Sequence, residues 1–316
     1  MASRRQVRPL GVMRATLRRS CSSVAPRSLT VATAQLRERD SHQAGVKRIV
    51  DMIGEASQAG AQVVALPEAA LTGYGPDMVA RVSSREVTQA EDEVKEACRK
   101  CKIAAIIGTP SKGYNSALVI NSDGSEVVRQ HKMQLVPTDL PWSRPGDTLH
   151  TFSLGGVTCS VIICHDKRYP ELVRLPVLAG SRVVFYISAE SYHDDLPLPA
   201  PRDGVRWDEA RLSRELGVYR AQAQARAVEN RVWLVKSNWA GDAVQPTRGS
   251  HGQSCIVDPT GCVVEEAGIY DEALICHTLD LDQASALYAH KSLQPEYALS
   301  GWWREALARV RRVGDE

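Results

Sequence analysis

A thiol, a carboxylate and an ammonium each stand at the end of a strand-like run in this sequence. Cys164 follows the apolar Val161-Ile162-Ile163 and opens the polar block His165-Asp166-Lys167-Arg168-Tyr169-Pro170-Glu171. Glu68 closes Val63-Val64-Ala65-Leu66-Pro67 and precedes the turn-rich Leu71-Thr72-Gly73-Tyr74-Gly75-Pro76, and Lys132 follows Arg129-Gln130-His131. Layered α/β folds carry their chemistry at the C-terminal rim of such strands. Taken singly, each residue has an ordinary reading: a cysteine buried in a core, or an acid or lysine at a solvated strand end. Together they form a kit for covalent catalysis. A thiol is weakly ionised at neutral pH and needs a base or a cation nearby to become a nucleophile. A carboxylate can take its proton, and an ammonium can hold the negative charge that develops on an attacked carbonyl oxygen.

Leu66-Pro67-Glu68 with Thr72-Gly73-Tyr74, His131-Lys132, and the run from Cys164 to Glu171 resemble the three signature segments of the nitrilase superfamily of carbon–nitrogen hydrolases. Tyr114-Asn115-Ser116-Ala117 through Asp123-Gly124, Pro145-Gly146-Asp147, Ala225-Arg226-Ala227-Val228-Glu229-Asn230-Arg231, Ser237-Asn238 and the stretch from Ser254 to Gly261 also fall in that family's order, so the resemblance spans about residues 29–285. It implies an α/β fold built as a four-layer αββα sandwich, paired into a homodimer or a larger homo-oligomer. It also implies that Glu68 is the general base, Lys132 the charge-stabilising residue and Cys164 the nucleophile, with the backbone N–H of His165 as a second oxyanion donor. The implied reaction cleaves a small amide to an acid and ammonia or an amine through a thioester, with no metal and no organic cofactor.

Relatives of this kind carry a further glutamate six positions before the Pro-Gly that follows the lysine segment; here that place is Asp139. The shorter acid either positions Lys132 or the substrate amine, or is a loop acid. His165 stands where nitrilases of the superfamily have tryptophan, which favours an amide or ureido group over a nitrile, so an N-carbamoyl amino acid hydrolase is the alternative and a nitrilase a further one. Arg168 either pairs with a substrate carboxylate or forms a salt bridge to Asp166, Glu171 or Glu229. Tyr74, Trp142 and the segment Ser188-Ala189-Glu190-Ser191-Tyr192-His193 are candidates to line the substrate pocket, and the proline-rich 196–201 reads as a loop beside it.

The elements that must bring these side chains together read as an alternation. Strands are predicted over 30–34, 63–66 and 103–108, with helices over 45–57 and 91–100 between them. Further strands follow over 157–164, 181–188, 232–237 and 255–258, around a helix over 211–230. Such alternation predicts a layered α/β fold. No composition break marks a linker, so the expected organisation is a basic leader over 1–28, one hydrolase domain over 29–285 and a tail over 286–316. Trp302-Trp303-Arg304 and 306–312 predict a tail helix that docks on a partner subunit or covers a sheet edge.

The net charge of +2 hides an asymmetry. Residues 1–28 contain seven arginines and no acid; without them the remaining lysines and arginines are outnumbered by the 37 acids. An Arg- and Ser-rich, acid-free start resembles a mitochondrial transit peptide, the alternative being a cytoplasmic protein with a basic arm. The basic segment is too short to argue for nucleic acid, and no run approaches the length needed to span a membrane. The eight cysteines are scattered and do not read as a disulfide framework. Cys98-Arg99-Lys100-Cys101 has redox spacing but closes a predicted helix, away from the helix N-terminus that lowers thiol pKa. Cys159, five residues before Cys164 in the same run, is expected on the opposite face of its sheet. From other functional classes, a thiol-redox protein would depend on Cys98 and Cys101, and a catalytically silent scaffold would leave Cys164 unreactive.

Overall fold

The computed structural model describes residues 26–190, 209–241 and 250–314. The leader up to residue 25, Ser191-Tyr192-His193 and the 196–201 loop lie outside the described residues. In chain order the first half holds β1 (Ser28–Gln35), α1 (His42–Gln58), β2 (Val63–Ala65), α2 (Pro76–Ala80), α3 (Ser84–Cys101), β3 (Ala104–Ser111), β4 (Tyr114–Ile120), β5 (Glu126–His131) and β6 (Leu149–Leu154). The second half holds β7 (Val157–Ile163), α4 (Glu171–Leu178), β8 (Val183–Ile187), α5 (Glu209–Val228), β9 (Trp233–Ser237), β10 (Cys255–Val257), β11 (Val263–Glu266), β12 (Ala273–Asp280), α6 (Leu287–Ser292), α7 (Ser300–Ala306) and β13 (Val310–Val313).

Two sheets form, ordered β12-β1-β2-β3-β4-β5 and β11-β10-β9-β8-β7-β6-β13. Their strands show why. Val63 and Ala65 of β2 face inward with Val161, Ile163, Phe185 and Ile187 of the second sheet, while Val64 between them faces α1 and α3. On the other sheet, Ile162, Val184 and Tyr186 face α4, α5 and α6 instead. Strands buried on both faces read as unbroken apolar runs, and the resulting order of helix, sheet, sheet, helix is the four-layer αββα sandwich. Helix α1 begins at Ser41, whose side chain accepts the Ala44 N–H at 3.2 Å, and buries Val46, Ile49, Met52, Ile53 and Ala56 at helical spacing. Helix α3 starts earlier than its apolar pattern predicts because Ser83 and Glu86 close a capping box there.

The tail differs from expectation. Helix α7 stops at Ala306, one 3-10 turn follows, and the chain then extends as β13, parallel to β6 from Val310↔Leu149 to Val313↔Phe152. Val310 packs on the outer cluster and Val313 on the cluster between the sheets. That two-sided use suits an extended strand, not a helix.

One glycine fixes how β2 delivers Glu68. A Cβ on Gly108 of β3 would lie 2.2 Å from Ala69 N, 2.4 Å from Pro67 O and 2.5 Å from the Cα of Glu68, all backbone or near-backbone atoms. The Glu68 turn rests on bare backbone. Gly108→Ala is therefore expected to destabilise the fold by about 1–3 kcal/mol through overpacking and to lower activity by displacing Glu68. Denaturant titration with a parallel rate measurement checks this, and an unchanged midpoint with full activity contradicts it.

Candidate active site

Glu68, after β2, and Lys132, after β5, meet at 2.7 Å, and Cys164, after β7, lies near enough to couple electrostatically to both. After β2 the chain turns through Ala69, a non-glycine residue at φ 51°. Glu68 N–H donates to Ser188 O at 3.3 Å, binding this turn to the end of β8 across the sheets. The Glu68 carboxylate is wholly buried: Oε1 accepts from Lys132 Nζ and from Asn115 Nδ2, both at 2.7 Å, and Oε2 accepts from the Ala189 N–H at 2.8 Å. Trp239 Nε1 donates to Glu68 O at 2.9 Å.

Lys132 follows β5 directly. Its N–H donates to Asn115 O and its carbonyl accepts the Gly146 N–H, each at 2.8 Å, so its backbone is fixed on both sides. Nζ touches Asp139 Oδ2 at 2.8 Å as well as Glu68, and sits 5.6 Å from the centre of the Tyr74 ring. Asp139 is wholly buried, so the loop-acid reading does not hold. Its Oδ1 accepts from Tyr74 Oη at 3.1 Å and Asn115 Nδ2 at 3.3 Å, and Oδ2 accepts from the Val136 N–H at 3.0 Å. The shorter acid reaches the ammonium because the 136–143 segment folds back as a tight turn, with Asp139 O accepting from Trp142 and Ser143 N–H.

Cys164 leaves β7 at φ 48° and starts a single 3-10 turn, Cys164–Arg168. A non-glycine residue in the left-handed region costs of order 1–3 kcal/mol and needs surroundings that enforce it. Asp166 supplies them: Oδ2 accepts the Ile163 N–H at 3.2 Å, while Oδ1 accepts Met133 N–H at 3.2 Å and Gln134 N–H at 2.8 Å. The Cys164 turn is thereby tied to the chain just past Lys132. Strand alternation ends at Ile163, so Cys159 and Cys164 are not on opposite faces. Cys159 lies in the cluster between the sheets, and Cys164 packs against the same cluster from its rim.

Other residues singled out in the sequence fall around this centre. Tyr74 and Trp142 meet edge to face at 6.3 Å, and Trp142 Nε1 donates to Thr138 O at 2.9 Å. Ser188 hydrogen-bonds Cys164, and Ala189 serves through its N–H. The His165 ring lies 5.8 Å from that of Tyr169. Arg168 is exposed and makes none of the three salt bridges considered: Asp166 is taken by backbone N–H groups and Glu229 by Arg226. Glu190 is held inside the protein by Lys167 and Lys236 instead of facing a solvent-filled pocket. Asn115, Asp166 and Trp239 carry roles that the sequence reading did not assign. Asn115 left a signal, since asparagine is depleted from strands and here stands two residues before the apolar run Ala117-Leu118-Val119-Ile120. Cys98 is buried at the end of α3, where burial pushes its thiol up to about 12, the reverse of a redox-active cysteine.

Burial pushes the Cys164 thiol up to about 12 and the Glu68 charge adds to this, while Lys132, Lys167 and the Ser188 hydrogen bond pull the other way. Burial alone would lower Lys132, but Glu68, with Cys164, Tyr74 and Asp139, holds its ammonium well above the ordinary value. Burial and then Glu68 raise Tyr74, which stays a hydroxyl donor. The resting site is a neutral thiol beside a carboxylate–ammonium pair. Labelling of Cys164 by iodoacetamide should then rise steadily from about pH 7 to about pH 10, with no plateau near the ordinary thiol value of about 8.5. Peptide mass spectrometry measures it; a plateau there would mean an unperturbed thiol, and a rate independent of pH across this range would mean a preformed thiolate.

Residues 30–289 match the carbon–nitrogen hydrolase family. The omega-amidase NIT2 of Xenopus tropicalis is 27% identical over 251 residues, covering 75% of this chain and 83% of its own. The hydrolase in the agr operon of Staphylococcus lugdunensis is 27% identical over 246 residues, covering 74% of this chain and 95% of its own. Among solved structures, a variant of the amidase from Nesterenkonia sp. AN1, with the acetamide moiety of fluoroacetamide added covalently at the active site cysteine, matches with a TM-score of 0.69 at 25% identity, covering 85% of this chain and 96% of that one. With its match to the family covering most of its length, the chain belongs to the carbon–nitrogen hydrolases and is a cysteine-dependent amidohydrolase of the nitrilase superfamily.

Proposed function

We propose that the protein hydrolyses a small amide to a carboxylic acid and ammonia through a thioester on Cys164, with Glu68 as base and Lys132 as oxyanion donor. The observation that carries this reading is the 2.7 Å contact between Glu68 and Lys132, both shut off from solvent, beside a thiol that is neutral at rest. A neutral thiol must lose its proton as it attacks, and Glu68 is the carboxylate that couples to it. The S–H proton passes to Glu68 while the C–S bond forms, and the carbonyl oxygen takes the electron pair. Lys132 Nζ and the His165 N–H receive that oxyanion. Collapse breaks the C–N bond, and Glu68 returns its proton to the departing amine. Water then attacks the thioester, giving one proton to Glu68. The C–S bond breaks, the acid leaves, and the proton returns to sulfur.

Asp139 acts on this scheme through Lys132: it holds the ammonium as a second carboxylate beside Glu68. Arg168, exposed on the nucleophile's own turn and free of its neighbouring acids, supports a substrate that carries a carboxylate beside its amide or ureido group.

Ammonia release from short amides, N-carbamoyl amino acids and nitriles tests the substrate class; release from nitriles but not from amides would reject an amide substrate. Cys164→Ala should abolish turnover, and intact-mass analysis with a slow amide should place an acyl adduct on Cys164, an adduct on any other cysteine overturning the mechanism. Asp139→Asn should lower kcat by about 10²-fold through misplacement of Lys132 and leave KM nearly unchanged; a loss confined to KM would assign Asp139 to substrate binding.

A further inference from the structure

Behind the nucleophile lies a second set of buried charges that the proposed reaction does not use. Lys167, in the same 3-10 turn as Cys164, pairs with Glu190 beyond the end of β8, and Glu190 Oε2 meets Lys236 Nζ of the neighbouring β9 at 2.6 Å. The three side chains are each 3% exposed or less. Tyr186, opposite Lys236 in the β8–β9 register, donates its hydroxyl to Glu190 and turns its ring to both ammoniums, 5.5 Å from Lys167 and 5.8 Å from Lys236. The Tyr219 ring lies 4.6 Å from Lys167 Nζ, with His251 packed on it at 4.5 Å. Burial pulls His251 down to about 3, so it adds no charge near neutral pH.

Two buried triads of opposite balance therefore act on Cys164. Glu68, Lys132 and Asp139 set one ammonium against two carboxylates; Lys167, Glu190 and Lys236 set two ammoniums against one. The thiol couples to Glu68 and Lys132 of the first triad and to Lys167 of the second. Tyr74, Tyr186 and Ser188 also face it as neutral hydroxyls, and Asp166 and His165 belong to its own turn. Stability does not account for the second triad, because desolvating three ions is costly and apolar replacements of such clusters are often at least as stable. The direction of charge movement does. When the thiol proton passes to Glu68, negative charge leaves the acidic triad and appears on sulfur, in the same 3-10 turn as Lys167.

We propose that Lys167, Glu190 and Lys236 form a positioning network for the reaction, whose surplus positive charge at the back of the Cys164 turn favours the thiolate as the proton leaves. This rests on Cys164 being the nucleophile. Glu190 fixes how much charge reaches the thiol: Lys236 offsets it and leaves Lys167 uncompensated.

The test compares iodoacetamide labelling rates of Cys164 at about pH 9 in the full chain, together with kcat and KM for an uncharged amide. Lys236→Met should slow labelling about tenfold and Glu190→Gln should speed it about tenfold, a tenfold change being one pKa unit. The double variant should return near the wild-type rate. In Lys236→Met, kcat should fall while KM holds. A purely structural role would slow both single variants alike, and equal losses, or no change in either, overturn the proposal. If a single variant fails to fold, the triple variant Lys167→Met, Glu190→Gln, Lys236→Met, which buries no ion in the cluster, should label about tenfold slower; labelling at the wild-type rate overturns it. Wild-type protein that keeps full turnover with Cys164 completely labelled would instead overturn the nucleophile assignment beneath it.

Discussion

The contact between Lys132 and Glu68 governs how the rest of this structure is built. Taking two ions out of water costs several kcal/mol each, and their mutual attraction repays this only when the remaining lone pairs and protons are also satisfied. Here they are: Asn115 and the Ala189 N–H complete the carboxylate, and Asp139 completes the ammonium. Each of these partners comes from a different segment, so the pair can exist only if β2, β4, β5, the 136–143 turn and the end of β8 are all in register. The same demand explains why the surrounding backbone is so heavily pinned, with Lys132 held through both its N–H and its carbonyl.

Two of the three central side chains lie at or beside a residue in left-handed backbone, Ala69 after Glu68 and Cys164 itself. Neither residue is glycine, so both turns carry a conformational cost that only tertiary bonds can hold in place. Asp166 does this for Cys164 and, by accepting N–H groups from 133 and 134, couples its position to that of the lysine. The sandwich provides the platform: the first sheet delivers Glu68 and Lys132, the second delivers Cys164, and the apolar layer between them fixes the distance.

Electrostatically the site separates holding from reacting. Lys132 is kept charged by its acidic neighbours, and the thiol is kept neutral by burial and by Glu68. The resting site therefore holds no thiolate, the form that oxidation and alkylation attack.

Much of this was readable in the chain alone. The apolar runs ending in Glu68 and Cys164, and the lysine following the 129–131 run, mark sites at strand ends because a strand buried on both faces cannot contain a charge without a partner. The layered architecture follows from the same runs and the helical stripes between them. The partners of those residues were not readable. Asn115, Trp239 and Lys236 act through side chains brought together from segments more than 40 residues apart, and nothing local in a sequence records which carbonyl or carboxylate a distant donor will meet. The tail's last strand was hidden for a related reason: whether Val310 and Val313 extend or coil is decided by the free edge of β6, not by their own pattern. Sequence determined which chemical groups sit at the rim; tertiary structure alone decided their protonation and their company, because burial and neighbouring charge exist only once the sheets have closed.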